Sequence, residues 1–174
     1  LISWVQECRG RAAGIVINME SALEMHAAVM AQAAGADVIV MSAAVADFRP
    51  VQAAPGKIKK SEAPTAIALE RNPDILAELG AREDVRAVLV GFAAETSNVE
   101  VHAREKLLAK RCDLIVANDV SDPALGFGTE ENVVLLVSAQ TTERLPLMSK
   151  RAIARELLDR VAAMLRLEPT SRDT

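Results

Sequence analysis

Three apolar runs constrain the fold of this chain more than any other feature. They are Asp37-Val-Ile-Val-Met-Ser-Ala-Ala-Val45, Ala87-Val-Leu-Val-Gly-Phe92 and Asp113-Leu-Ile-Val-Ala117. None alternates apolar with polar residues, so a strand made from any of them hides both faces. That is how the inner strands of a parallel sheet read, with helices above and below. A fourth, shorter run, Gly14-Ile-Val-Ile-Asn18, predicts another strand.

Helix signals fall between the runs. Ser21 and Glu24 have capping-box spacing, which predicts a helix to about Ala34 with Met25, Val29 and Ala33 inward and Gly35 as its stop. Asn72-Pro-Asp-Ile75 reads as Asn at the cap, Pro at the first helical position and Asp in the first turn, with Gly80 closing the helix. Asn98 opens a helix to about Arg111. Ser149 caps a last one, with Ile153, Leu157, Val161, Met164 and Leu165 as its apolar stripe. Thr65 to Leu69 alternates weakly, as a strand does, and 132–138 with 143–147 reads as a hairpin. The expected fold is a doubly wound, mostly parallel α/β sheet, a Rossmann-like three-layer sandwich ending in a hairpin and helix. A chain of 174 residues suits one such domain. We assign it residues 1–168, with 169–174 as a frayed tail.

Composition excludes several classes. A net charge of −4 and only four aromatic residues, Trp4, Phe48, Phe92 and Phe127, argue against a nucleic-acid partner. No apolar run reaches the roughly 18 residues of a membrane span. Cys8 and Cys112 cannot build a disulfide framework or a four-cysteine metal site, and a cytoplasmic location is expected. Neither G-x-G-x-x-G nor G-x-x-x-x-G-K-[ST] occurs, which disfavours a nicotinamide oxidoreductase.

In doubly wound sheets ligands bind beyond the carboxyl ends of the strands. That edge collects residues 43–60, 72–75, 91–96 and 117–122. Lys57-Ile-Lys-Lys60 puts three ammonium groups in four residues, within a long Pro-containing stretch. It is either a solvated basic loop or a phosphate contact. Asn72 to Ile75 offers helix amides, as a plain cap or as an anion site. His102, Lys106 and Lys110 share one helix face, solvated or phosphate-facing, with Glu100 and Arg104 able to pair beside it. Asp47, at a strand end, caps the turn or holds a ribose hydroxyl or a metal. Neither histidine has a metal-ligand partner at suitable spacing, and Cys112 reads as packing at a strand start.

Taken in order, these segments resemble one family. Ala43-Ala-Val-Ala-Asp-Phe-Arg-Pro50, Lys57-Ile-Lys-Lys60, Asn72-Pro-Asp-Ile75, Val90-Gly-Phe-Ala-Ala-Glu-Thr96, Ala103-Arg-Glu-Lys106 with Lys110, and Asp113-Leu-Ile-Val-Ala-Asn-Asp119 look like phosphopantothenoylcysteine synthetase. This is the bacterial type often fused behind a flavin-dependent decarboxylase. The resemblance implies a ligase of coenzyme A biosynthesis that joins 4′-phosphopantothenate to L-cysteine through an acyl-cytidylate formed from CTP. It implies that Met41, Ser42, Ala43, Asp47, Asn72, Pro73, Asp74, Ile75, Phe92, Lys106 and Lys110 form the CTP site. Lys57 is then both a CTP contact and the catalytic residue, and Asp47 is the candidate ligand for Mg. FMN is implied only for a decarboxylase domain fused upstream, and a homodimer is implied as the assembly. The family's first strand, Gly-rich turn and Asn-bearing stretch have no counterpart here. The reading is therefore an N-terminally truncated synthetase domain, with a non-catalytic nucleotide-binding or dimerising remnant as the alternative.

Overall fold

A computed structural model describes residues 16–52, 56, 66–120 and 130–167. Its main sheet has five strands in the order β1-β4-β5-β7-β8. The parallel part is β1 (Val38–Met41), β4 (Val88–Glu95) and β5 (Leu114–Asp119). The antiparallel hairpin of β7 (Val134–Ser138) and β8 (Thr142–Arg144) extends it beside β5. A two-stranded arm pairs β2 (Phe48–Pro50) with β3 (Leu69–Arg71), and β6 (Glu131–Asn132) pairs with β9 (Met148–Ser149). The helices are α1 (Ala22–Gln32), α2 (Ile75–Ala81), α3 (Val99–Lys110) and α4 (Lys150–Leu167).

The missing alternation in β4 and β5 now has its cause. Val88, Val90, Leu114 and Val116 face a core completed by Ile153, Leu157 and Val161 of α4. Their neighbours Ala93, Ile115 and Ala117 face Ala103 and Leu107 of α3, while Leu89 meets α1 and α2. Each strand is thus sandwiched, and side chains of both parities are apolar. The three layers are α1, α2 and α3, then the sheet, then α4. No described helix is long and apolar enough to cross a membrane.

The helix starts follow the sequence in two cases and depart from it in two. Ser21 and Glu24 form the full capping box, and Ser149 Oγ accepts from the Ala152 amide. For α2, however, Asp74 and not Asn72 is the cap, accepting from the Ala77 amide at 3.0 Å. Asn72 is engaged elsewhere: its Nδ2 donates to the Ala46 carbonyl and its Oδ1 accepts from Arg49. Asn98 precedes α3 in a left-handed conformation, φ 46°, without a side-chain cap.

Other expectations shift. The run at 37–45 forms a strand only over Val38–Met41, and it lies at the sheet edge among the described residues. Val40 is therefore 41% exposed rather than covered. Residues 16–18, the described part of the run at 14–18, make no strand. The weak strand expected at 65–69 begins only at Leu69, because pairing with Phe48–Pro50 sets its register. Leu165, assigned to the inward stripe of α4, is 40% exposed, while Ile153, Leu157 and Val161 are buried.

Cys112 packs between the two helix-side cores, as its position before β5 suggested. Burial, with the nearby Asp113 carboxylate, pushes its thiol up to about 12. The thiolate is the reactive form, so Cys112 stays protonated and inert across neutral and mildly alkaline pH. Alkylation at pH 8, read by peptide mass, should leave Cys112 largely unmodified in the folded chain and modify it fully in denaturant. Rapid labelling of the folded chain at this peptide would refute the burial argument.

Candidate functional site

β1 ends beside the middle of β4, with Met41 in register with Gly91, and β4 runs on to Glu95. Gly91 permits a close approach above the sheet: a Cβ there would stand 2.7 Å from Leu76 Cδ2 and 2.8 Å from Ile115 Cδ1. This lets α2 settle onto the sheet and brings its N-terminus to the strand ends. Next to α2 in the same layer, α3 brings Lys106 and Lys110 to this edge.

The result is a cavity of about 350 Å³. Its wall includes Met41, Ala43, Asp47, Asn72, Pro73, Asp74, Ile75, Phe92, Lys106 and Lys110, ten of the twelve residues singled out from sequence. Ser42 is exposed beside it and is not on the wall. Lys57, with Lys59 and Lys60, lies outside the described residues. The wall also has members that sequence reasoning passed over, Arg71 and Leu76 among them. Arg71 immediately precedes Asn72, and its guanidinium sits 5.3 Å from the centre of the Phe48 ring.

Asn72 is the joint of this site. Its amide donates to the Asp47 carbonyl at 2.8 Å, and its side chain ties residue 46 to Arg49. The β2–β3 arm is thereby pinned to the loop after β1. An Ala there would leave the Ala46 carbonyl and the Arg49 guanidinium short of partners.

Both lysines of α3 are paired. Lys110 Nζ is hydrogen-bonded to Asp74. Lys106 Nζ lies 3.6 Å from Glu95 Oε1, and His102 Nδ1 lies 3.2 Å from Glu95 Oε2. The face expected to be either solvated or phosphate-bound is thus already neutralised by two carboxylates. Burial draws the Asp74 carboxyl upward, but Lys110, the Ala77 amide and the charge of Lys106 outweigh it and hold it below the usual carboxylate range. Glu95 lay within the edge segment 91–96 but was given no role, because the apolar run before it was expected to end its strand at Phe92, whereas β4 continues to Glu95. Its signal was the i, i+4 spacing of His102 and Lys106, which one carboxylate can bridge. Glu100 and Arg104 pair at 3.3 Å beside them, as their spacing suggested.

Among the described residues, no three His, Cys, Asp or Glu side chains gather as a metal cluster. Asp74 is committed to Lys110, which leaves Asp47 as the cavity carboxylate open to a cation. One carboxylate suits Mg, which keeps most of its waters and shares substrate phosphates, and does not suit a resident protein cage.

Beside this cavity lies a second, of about 310 Å³, lined by Met19, Met25, Ala44, Val45 and Phe48 among others. The two share Val45, Ala46 and Asn72, which stand between the charged chamber and the apolar one.

Comparison with known proteins identifies the family. The model of the DNA/pantothenate metabolism flavoprotein C-terminal domain matches residues 2–165. A relative from Vibrio vulnificus, the coenzyme A biosynthesis bifunctional protein CoaBC, is 44% identical over 151 residues, covering 86% of this chain and 38% of that protein. Its counterpart in Escherichia coli is 43% identical over 148 residues, covering 83% of this chain and 36% of that protein. The chain thus spans under two-fifths of these relatives. The crystal structure of the C-terminal domain of a CoaBC protein superposes with a TM-score of 0.70 at 37% identity, covering 87% of this chain and 66% of that one. A mutant of Cab2 in complex with phosphopantothenate-cysteine has the same fold, with a TM-score of 0.68 at 18% identity over 87% of this chain and 53% of that one. The family resemblance carried by the motif order is borne out: the chain belongs to the family of DNA/pantothenate metabolism flavoprotein C-terminal domains.

Proposed function

We propose that this chain is the synthetase part of a coenzyme A biosynthetic enzyme, a ligase that joins 4′-phosphopantothenate to L-cysteine with CTP. The observation that carries the reading is the meeting of Lys106, Lys110, Asp47 and the start of α2 in one cavity at the carboxyl edge of the sheet. A triphosphate needs such a meeting of cations and amides. Membership in the family and similarity to CoaBC supply the substrates, and the preference for CTP over ATP rests on that relationship alone.

In this reading the substrate carboxylate attacks the α-phosphate of CTP, and pyrophosphate leaves. The cysteine amine then attacks the acyl carbon and CMP leaves. The protein's part is to hold the reactants in line and to offset phosphate charge. Lys106 and Lys110 neutralise the phosphates. Met41, Ala43, Phe92 and residues 72–75 form the walls that hold the nucleoside, with Ser42 at the rim. Lys57 is assigned to the acyl-cytidylate and the departing pyrophosphate. Asp47 would hold a Mg ion that arrives with the nucleotide and screens its phosphates. FMN belongs to this proposal only as the cofactor of a decarboxylase domain fused upstream. The test is pyrophosphate release with CTP, phosphopantothenate and cysteine. Release that requires both CTP and phosphopantothenate is expected. A folded chain that binds CTP yet releases none, or releases it without phosphopantothenate, would contradict the ligase reading.

A homodimer is part of the proposal. The β2–β3 arm projects with Phe48, Val51, Ile67 and Leu69 all exposed, the last three at 57%, 69% and 57%. Clustered apolar side chains on a projecting ribbon favour a protein partner, and a second copy covers them symmetrically. Sedimentation should give a dimer mass for the chain, and Phe48→Asp with Leu69→Asp should shift it to monomer. A wild-type monomer at high micromolar concentration would contradict this.

A further inference from the structure

The lysines of the cavity do not wait for phosphate as bare cations. Lys106 faces Glu95, and Lys110 faces Asp74. Each carboxylate has a second anchor: Glu95 is held at 3.2 Å by His102, and Asp74 by the Ala77 amide at 3.0 Å. Glu95 is also the more enclosed member of its pair, with a side chain 19% exposed against 33% for Lys106. The lysines, in contrast, end flexible four-carbon stems with three donors each. In the other pair Asp74 is the more exposed member, 50% against 25% for Lys110, and its hold is the capping bond from the Ala77 amide. An entering anion therefore draws the ammonium groups away from acids that are anchored by those second bonds.

We propose that Glu95 and Asp74 are resident counter-ions of this cavity, competing with ligand phosphates for Lys106 and Lys110 and so setting the charge density that a ligand must exceed. The inference rests on the nucleotide reading above and adds affinity control to it. A triphosphate, with several charges, wins both lysines. After the reaction the acids recapture them, which speeds the departure of CMP and pyrophosphate. The opposite role, in which Glu95 positions Lys106 for phosphate, predicts the opposite sign on removal of the carboxylate.

Two neutral, near-isosteric variants test this without removing a lysine. Glu95→Gln keeps the side-chain shape. Asp74→Asn keeps the helix cap, since Asn caps as well as Asp does. CTP and pyrophosphate binding are measured by calorimetry on the full chain, with melting curves to confirm folding. Removing one negative charge that competes for a cavity lysine should tighten both ligands by about threefold in each variant. In a Lys106→Ala background Glu95→Gln should have a smaller effect, because no lysine remains to compete for. Weaker or unchanged binding in both variants would overturn the proposal while leaving the nucleotide reading intact. No CTP binding by the unaltered chain would overturn the nucleotide reading itself, and the counter-ion role with it.

Discussion

Gly80→Ala should destabilise this chain, although the same exchange stabilises most helices. Gly80 lies inside α2, where alanine is worth about 1 kcal/mol more than glycine. A Cβ on Gly80, however, would stand 2.0 Å from the Lys110 carbonyl oxygen and 3.0 Å from its carbonyl carbon. Both atoms are backbone, at the end of α3, so no rotamer change relieves the clash. The two helices must separate, and they cover adjacent parts of the helix-side core through Leu79 and Leu107. Overpacking of this kind costs about 1–3 kcal/mol, occasionally more. With backbone on both sides of the clash we expect a net loss of at least about 2 kcal/mol, which lowers Tm by about 4–8 °C in a chain of this size. An unchanged or raised Tm would show that α2 and α3 do not pack this closely. The effect reaches the site as well, because α2 carries Asp74 at its start and α3 carries Lys110 at its end.

Lys106→Ala combined with Lys110→Ala should weaken CTP binding by at least tenfold. A hydrogen bond to a charged group contributes about 1.5–3 kcal/mol. Both ammonium groups already have carboxylate partners, so binding exchanges one charged contact for another and gains only part of that. Half of the lower figure from each lysine gives about 1.5 kcal/mol, roughly tenfold in Kd. The true loss is larger, since alanine also leaves Glu95 and Asp74 facing the phosphates without their cations. The double variant should keep its far-UV circular dichroism, since the replaced side chains are partly exposed. A folded double variant with wild-type CTP affinity would remove the α3 face from the site.

How far the sequence revealed this molecule depended on whether a signal was local. The buried strands β4 and β5 were legible because burial on two faces leaves an apolar run without alternation. The caps at Ser21 and Ser149 were legible because a capping hydrogen bond spans three residues. Asn72 misled because its most telling partners, Ala46 and Arg49, lie more than 20 residues away. A residue with long-range work was read as a local cap, and the true cap, Asp74, was read as a first-turn charge. The extent of β1 was overestimated for a related reason. An apolar segment reads as covered, yet which strand covers it is set by topology, and β1 lies at an edge among the described residues.

Position marked out segments 43–60, 72–75 and 91–96, because the carboxyl ends of neighbouring parallel strands fall together. The individual wall residues, Lys106 and Lys110 among them, came from the resemblance of the ordered motifs to a known family. The sequence could not show the electrostatic state of that wall. Glu95 and Asp74 meet their lysines only through the packing of α3 against β4 and α2.

We propose that this cavity takes a cytidine triphosphate, and calorimetric titration of the unaltered chain with CTP, ATP and NADH in the presence of Mg is the direct test. Saturable CTP binding at one site per chain is expected, with weaker ATP binding and no NADH binding. Absence of CTP binding by the folded chain, or NADH binding in its place, would contradict it.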